Sequence, residues 1–286
     1  MTLIAGFWCA GDQAVLLADS CESWGSYKTS VTKITPQAIG DLYQVAYAGS
    51  GLSDLIDAFG EALELSLSES RASGPLSLQK VLAKTLVDFY DSPEIAAYPR
   101  DTTDPNSFVS GVVCIRVVPI SKVFLFKFSR TVVLPVKDYV LRGMEEPIYS
   151  HIVKRLYRPG ILPLQARLLG LHVMSEAAST SNQIDHPMRV VFAMTHGMFS
   201  DDSETDHYLQ ALSGVQRAMD DVLIACADTH AVKDHEVRQM LKLFGQRIVK
   251  ARREFARGHT QRFKEAMRPV LPSPKRGRKS RPASQG

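Results

Sequence analysis

Residues 2–49 read TLIAGFWCAGDQAVLLADSCESWGSYKTSVTKITPQAIGDLYQVAYAG. Thr2 follows Met1, which an aminopeptidase normally removes when the next side chain is as small as threonine. A chain that begins at Thr2 holds a hydroxyl and a free amine on neighbouring carbons. An amine with an unperturbed pKa of about 7.7–8.0 accepts the hydroxyl's proton near neutral pH, so one residue supplies both a nucleophile and its base. Apolar runs at 3–8 and 13–18 flank Ala10-Gly11-Asp12, the mark of a β-hairpin, which sets Thr2 at the head of a strand. The second run ends at Asp19. Lys33 precedes Ile34, and a third strand-like run at 42–48 is closed by Gly49 and Gly51.

This ordered set resembles the start of proteasome β subunits and of the bacterial proteasome-like peptidases, which are N-terminal nucleophile (Ntn) hydrolases. The matching pieces are Thr2, Gly6, the Val15-Leu16-Leu17-Ala18-Asp19 strand end, Gly25, Lys33-Ile34, and the step Ala48-Gly49-Ser50-Gly51-Leu52-Ser53-Asp54. The resemblance covers roughly residues 2–197. It implies Thr2 as the nucleophile, Lys33 beside it favouring the deprotonated amine and hydroxyl, and Asp19 holding the lysine. It also implies that Gly49 supplies a backbone N–H to an oxyanion hole. The spacing from Asp19 to Lys33 is two residues shorter than in typical members, which keeps Lys28 as a second candidate for the lysine.

Two stretches depart from the family pattern. Where members carry a serine in a turn before the third helix, this chain has Arg142-Gly143-Met144-Glu145-Glu146-Pro147, and methionine cannot make that serine's hydrogen bond. The loop before the last strand is Ser179-Thr180-Ser181-Asn182-Gln183-Ile184-Asp185; Ser181 is a substitute there, while the aligned acid is missing.

Beyond residue 49 the chain alternates between helical and strand patterns. Leu52, Leu55, Ile56, Phe59, Leu63 and Leu67 predict an amphipathic helix that Ser53 or the residue before it can cap. Pro75 opens a second helix, carried by Leu78, Val81, Leu82, Leu86 and Phe89. The proline- and aspartate-rich segment 91–107 reads as a surface loop. Strands are predicted at 108–118, 122–128, 139–141 and 188–194, with helices at 147–156 and 164–178. Periodicity gives an α+β protein. The resemblance supplies the layers, a four-layer αββα sandwich with two helix pairs over two stacked antiparallel sheets.

The expected organisation is an Ntn-hydrolase domain over 2–200, extra C-terminal helices over 203–269, and a basic tail over 270–286. Leu209, Leu212, Met219, Leu223 and Cys226 mark one of the extra helices; Val237, Leu241, Phe244, Ile248, Ala251 and Phe255 mark the other, too briefly heptad-like for a coiled coil. The last forty-one residues, 246–286, hold thirteen Lys or Arg against two Glu, a charge of +11, which leaves −7 on the rest of a chain whose net charge is +4. Without interleaved aromatic residues the tail reads as a solvated end, so no nucleic-acid partner is expected.

No apolar run reaches the roughly 20 residues of a membrane span, and no signal peptide is recognisable, so a cytoplasmic protein is expected. Cys9, Cys21, Cys114 and Cys226 lack paired spacing and read as reduced thiols. His230 and His235 fall on different helix faces, no metal-ligand cluster exists, and the glycines form no phosphate-binding fingerprint, so neither a metal nor another cofactor is expected. The function expected from the resemblance is a threonine peptidase acting on peptide or unfolded protein, assembled as a homo-oligomeric ring with any ATPase partner left open. The alternatives are a catalytically silent scaffold or assembly subunit, motivated by Met144 and the altered 179–185 loop, and an Ntn amidase acting on a small amide.

Overall fold

Seven residues of strand on each side of a tight turn begin the chain: β1 (Leu3–Cys9) and β2 (Gln13–Asp19) pair antiparallel, from Ile4 opposite Ala18 to Cys9 opposite Gln13. Gly11 and Asp12 both take positive φ, +73° and +54°, which lets the chain reverse within three residues. Neither strand alternates apolar with polar, because both of its faces are covered. Leu3, Ala5 and Phe7 point to one side and Ile4 and Gly6 to the other.

The computed structural model describes residues 2–24, 27–30, 33–98, 107–143, 146–181, 184, 188–201, 205–227 and 232–266, without the side chains at 21–24, 27–30, 205–208 and 256–266. After β2 come a small hairpin, β3 (Cys21–Trp24) and β4 (Tyr27–Ser30), then β5 (Gln37–Ile39) and β6 (Tyr43–Ser50). Helices α1 (Ser53–Ser68), α2 (Pro75–Asp91) and the short α3 (Pro93–Ala96) follow. The strands β7 (Ser110–Val117), β8 (Lys122–Ser129), β9 (Val132–Pro135) and β10 (Tyr139–Gly143) lead to α4 (Glu146–Leu156) and α5 (Pro163–Thr180). Last come β11 (Met188–Met194), β12 (Gly197–Ser200), α6 (Thr205–Ala227) and α7 (Asp234–Ala266).

The strands make two five-stranded antiparallel sheets, ordered β10-β1-β2-β11-β12 and β5-β6-β7-β8-β9. Three apolar clusters hold the layers. Between the sheets, Ile4, Ala14, Leu16 and Ala18 meet Ala46, Ala48, Val112 and Leu125. The small side chains bring the backbones close, and a Cβ at Gly6 would stand 2.9 Å from Val140 and 3.2 Å from Val112. Leu55, Phe59, Leu63, Leu82 and Leu86 of α1 and α2 pack on the outer side of the second sheet, and Ile152, Leu171, Val173 and Met174 of α4 and α5 on that of the first. Each such fully buried side chain is worth about 1.5–3 kcal/mol. The protein is thus mixed α and β, with two antiparallel sheets as its frame.

Helix α6 packs on α5, and α7 on α6. Arg167 of α5 is all but fully buried and pairs with Asp201 at 2.7 Å, fixing the chain as it leaves β12. Only part of the expected stripes is covered: Leu209 and Ala251 are buried, while Met219, Leu223, Leu241 and Ile248 are exposed, as is Ile224 beside them.

Several expectations need correcting. No side chain caps α1; its N-cap is Leu52, in extended backbone, and Ser53 is the first helical residue. The 91–107 segment contains α3. The strands β3, β4, β5, β9 and β12 were not expected. Met144, residues 182, 183 and 185 of the second departing loop, and the tail after residue 266 lie outside the described residues, as do Cys21's side chain and His230.

Candidate active site

Thr2 stands one residue before β1, and strand alternation turns it to the side of Ile4 and Gly6, into the space between the sheets. It is 8 % exposed. Asp19 closes β2, and its backbone is held in register opposite Met188 of β11. Its side chain is fully buried, and each oxygen has a partner: Oδ1 accepts the Leu3 backbone N–H at 2.8 Å, and Oδ2 accepts Lys33 Nζ at 3.1 Å. The same Lys33 Nζ donates to Thr2 Oγ1 at 2.8 Å. Two residues from separate segments, Thr2 and Asp19, therefore meet on the ammonium group that a third segment supplies.

Local sequence explains the convergence. Ile34 is buried between the sheets and anchors the segment that carries Lys33, whose side chain is 11 % exposed. Asp19 is the residue at which β2 leaves the ladder, so a carboxylate there takes the N–H that the next ladder bond would have used. Of the two lysines that the sequence offered, Lys33 occupies the site; the Lys28 side chain lies outside the described residues. Electrostatically the group is a buried ion pair with a hydroxyl as third member. The carboxylate compensates the ammonium, and the ammonium hydrogen-bonds the hydroxyl.

Gly49 sits on the facing sheet, opposite Gly111 in the β6–β7 register and next to Ala48, which packs in the same inter-sheet cluster as Ile4. A Cβ on Gly49 would stand 2.7 Å from the Ile56 side chain, so α1 packing explains why glycine is required there.

A residue that sequence reasoning quoted without assigning a task is Gly143. It pairs with Leu3 at the end of β10 with φ of +126°, and a Cβ on it would lie 1.9 Å from the Thr2 carbonyl oxygen. Thr2's main chain occupies the place of a side chain. An isolated glycine in a strand pattern signals such a close approach and could have exposed it. Of the second departing loop, Ser181 caps the C-terminus of α5, its N–H bonded to Ala177 O at 2.8 Å.

Other reactive side chains stand apart from this cluster. Cys9 and Cys114 are buried; burial pushes the Cys9 thiol up to about 12 and the Cys114 thiol well above its ordinary value. Among the described residues no group of three His, Cys, Asp or Glu could hold a metal, and no helix is long and apolar enough to cross a membrane. A cavity of about 570 Å³ between α4, α5 and α6, lined by Leu168, His172, Leu212 and Met219 among others, shares no residue with the Thr2 cluster.

No family model matches the sequence, and no curated protein matches it. Solved structures do match the fold, a mixed α and β chain with two antiparallel sheets and flanking helices. Among them are Anbu (ancestral β-subunit) proteins. The one from Yersinia bercovieri is 12 % identical, with a TM-score of 0.60 over 78 % of this chain and 97 % of its own. A Gly-1 mutant from Hyphomicrobium sp. strain MC1 is 14 % identical, with a TM-score of 0.64 over 82 % and 100 %. A structure described as the helical assembly of the Anbu complex from Pseudomonas aeruginosa is 13 % identical, with a TM-score of 0.58 over 76 % and 95 %. These likenesses correct the resemblance drawn from the sequence. Anbu is proteasome-like but distinct from the proteasome β subunits and bacterial proteasome-like peptidases named there, and at 12–14 % identity what is shared is the fold.

Proposed function

We propose that this chain is a proteasome-like hydrolase subunit in which Thr2, freed of Met1, cleaves peptide bonds. The observation that carries the reading is the single ammonium of Lys33, 2.8 Å from Thr2 Oγ1 and 3.1 Å from Asp19 Oδ2. In the finer fold reading, residues 2–200 form a four-layer αββα Ntn sandwich and 203–269 a helical extension. The three apolar clusters support it.

In the reaction, Thr2 Oγ1 attacks the carbonyl carbon while its proton passes to the Thr2 α-amine. Lys33 stabilises the charge on Oγ1 as the O–H bond breaks. The carbonyl oxygen takes negative charge, which the N–H of Gly49 receives in this reading. The C–N bond then breaks, the amine returns the proton to the leaving nitrogen, and an ester on Thr2 remains. Water, deprotonated by the same amine, hydrolyses the ester and restores the hydroxyl. Asp19 touches neither substrate nor product; it positions Lys33 and, through Leu3, the strand that carries Thr2.

Homo-oligomeric assembly belongs to the same reading. The exposed Leu223, Ile224, Leu241 and Ile248 of α6 and α7 support it, as does the assembly described for the Pseudomonas aeruginosa protein.

The test uses the assembled chain with intact-mass confirmation that Met1 is gone. It should hydrolyse fluorogenic peptides and form an adduct with a threonine-directed electrophile, and Thr2→Ala should do neither. A chain lacking Met1 that gives no cleavage and no adduct refutes the reading. Retention of Met1 would favour the scaffold alternative, and turnover of small amides without peptides would favour the amidase.

A further inference from the structure

Ser20, immediately after Asp19, is fully buried, and its hydroxyl oxygen is shut off from solvent without a hydrogen-bond partner among the described residues. Roughly 90 % or more of buried polar groups avoid that condition, so the hydroxyl calls for a specific partner. Its position identifies one. The β1–β2 ladder pairs Ile4 with Ala18, and the Leu3 N–H reaches the Asp19 carboxylate. Continued by one residue, that register sets Thr2 opposite Ser20. Alternation places Ser20 on the face of Leu16 and Ala18, between the sheets, which is the face Thr2 shares with Ile4. Directly opposed residues have Cβ atoms about 4.5–5.5 Å apart, within reach of a short hydroxyl.

Thr2 Oγ1 already receives a hydrogen bond from Lys33. The group the cluster still has to accommodate is the one that loss of Met1 creates, an α-amine with its N–H donors. We infer that Ser20 is a positioning residue of the site: its hydroxyl oxygen accepts a hydrogen bond from the Thr2 α-amine, directing the amine's lone pair to Oγ1. This inference rests on the reading of Thr2 as the nucleophile. When the amine takes the Oγ1 proton it becomes an ammonium ion, a stronger donor, and the bond to Ser20 strengthens at that moment. No bond of Ser20 is made or broken covalently.

The charged groups around the amine act alongside Ser20. Lys33 disfavours the ammonium form, and Asp19, which holds Lys33, offsets that effect. Arg142 of β10, opposite Ile4 in the register, is neutralised by Glu146 of α4 at 2.9 Å. An uncharged acceptor on β2 therefore raises the amine's proton affinity without adding a charge, and its loss lowers that affinity.

The test compares wild type, Ser20→Ala and Ser20→Thr, each released at Thr2 by cleavage of an N-terminal leader. The α-amine is titrated by competitive acetylation with acetic anhydride, read by mass spectrometry, which needs no turnover. In Ser20→Ala the amine should titrate about one pH unit lower than in wild type. In the same variant kcat for peptides should fall about 10- to 100-fold, with the acidic limb of its pH profile moved to lower pH. Ser20→Thr should restore the titration, and the Tm of Ser20→Ala should fall by no more than about 5 °C, because the change removes a single hydrogen bond. An amine that titrates identically in wild type and Ser20→Ala overturns the inference, as does a Ser20→Ala chain that fails to fold. Absence of peptide cleavage in wild type would sink the proposed peptidase while leaving the amine titration to decide on Ser20.

Discussion

Replacing Gly143 by alanine tests whether the end of β10 presses against the main chain of Thr2. The added Cβ would lie 1.9 Å from the Thr2 carbonyl oxygen, 3.0 Å from its carbon and 3.2 Å from Leu3 Cα, all backbone atoms that no rotamer change can move. The strands would have to part by about 1 Å, an overpacking strain of about 1–3 kcal/mol. A non-glycine residue at φ of +126° adds about 1–3 kcal/mol of backbone strain. Together these give about 2–6 kcal/mol, which at about 2–4 °C per kcal/mol lowers Tm by roughly 10 °C at the middle of both ranges. The same displacement of Thr2 should slow its reaction with a threonine-directed electrophile about 100-fold. Two controls separate the causes. Gly160, at φ of +76° with nothing within 4 Å of its absent Cβ, isolates the backbone strain, and Gly197, in open space, should tolerate alanine unchanged. Thermal unfolding and adduct mass spectrometry on all three variants provide the measurement. If Gly143→Ala unfolds and reacts like Gly197→Ala, the close approach, and the argument that β10 sets Thr2's position, are wrong.

The buried ion pair should show itself as coupling. Lys33→Met takes the ammonium from a carboxylate that is fully buried, and Asp19→Leu does the converse; each should destabilise by about 3–5 kcal/mol, while the double variant loses less than the sum by more than about 1 kcal/mol in urea unfolding. Additive effects would refute the pairing. Stability should also fall in alkali, because burial raises Cys9 from 9.0 and Tyr157 from 10.0 to about 12 each. The unfolded chain sheds these protons first, so their contribution is complete below pH 9.0 and drains away as pH rises toward 12. The urea midpoint measured along that window should drop in wild type and less in Cys9→Ala; a flat profile would contradict the burial of these groups.

Long elements with one strong period were legible in the sequence. β11 spans the seven residues expected of it, and α1 and α2 bury the leucines and phenylalanines that marked them, apart from Leu52, which is exposed at the N-cap of α1. Strands of three or four residues were not, because Gln37–Ile39 or Val132–Pro135 is too short to show a period and gains its order from neighbours in the sheet. The hairpin of β3 and β4, CESW and YKTS, has neither an apolar run nor a strict alternation to mark it as strand. For the candidate site, order along the chain brought Thr2, Asp19 and Lys33 to attention, and the way Lys33 reaches the other two rests on a fact of packing that spacing does not give, the burial of Ile34 between the sheets. Gly49 shows the opposite case. Its lack of a side chain serves Ile56 on α1, a contact that no spacing rule announces. The family resemblance erred at a finer level for a similar reason: strand ends and tight turns specify the fold, and relatives that share the fold share those signals.

The Asp19–Lys33 pair is a poor device for stability alone. Moving a carboxylate and an ammonium out of water costs several kcal/mol per ion, and well-packed apolar residues of similar volume commonly serve as well or better. Here the carboxylate is fully buried and spends its second oxygen on the Leu3 N–H, an arrangement that stiffens the root of β1. Stiffening would not require a lysine, since the Leu3 contact needs only the acid. The lysine becomes intelligible through its other hydrogen bond, to the Thr2 hydroxyl, which an apolar substitute could not make. Thr2, for its part, is fixed by Gly143 on one side of β1 and by the small side chains between the sheets on the other. The charge is thus held beside backbone confined by Gly143 and by the inter-sheet packing, as the proposed role of the ammonium requires of a group that must not reorganise around developing charge.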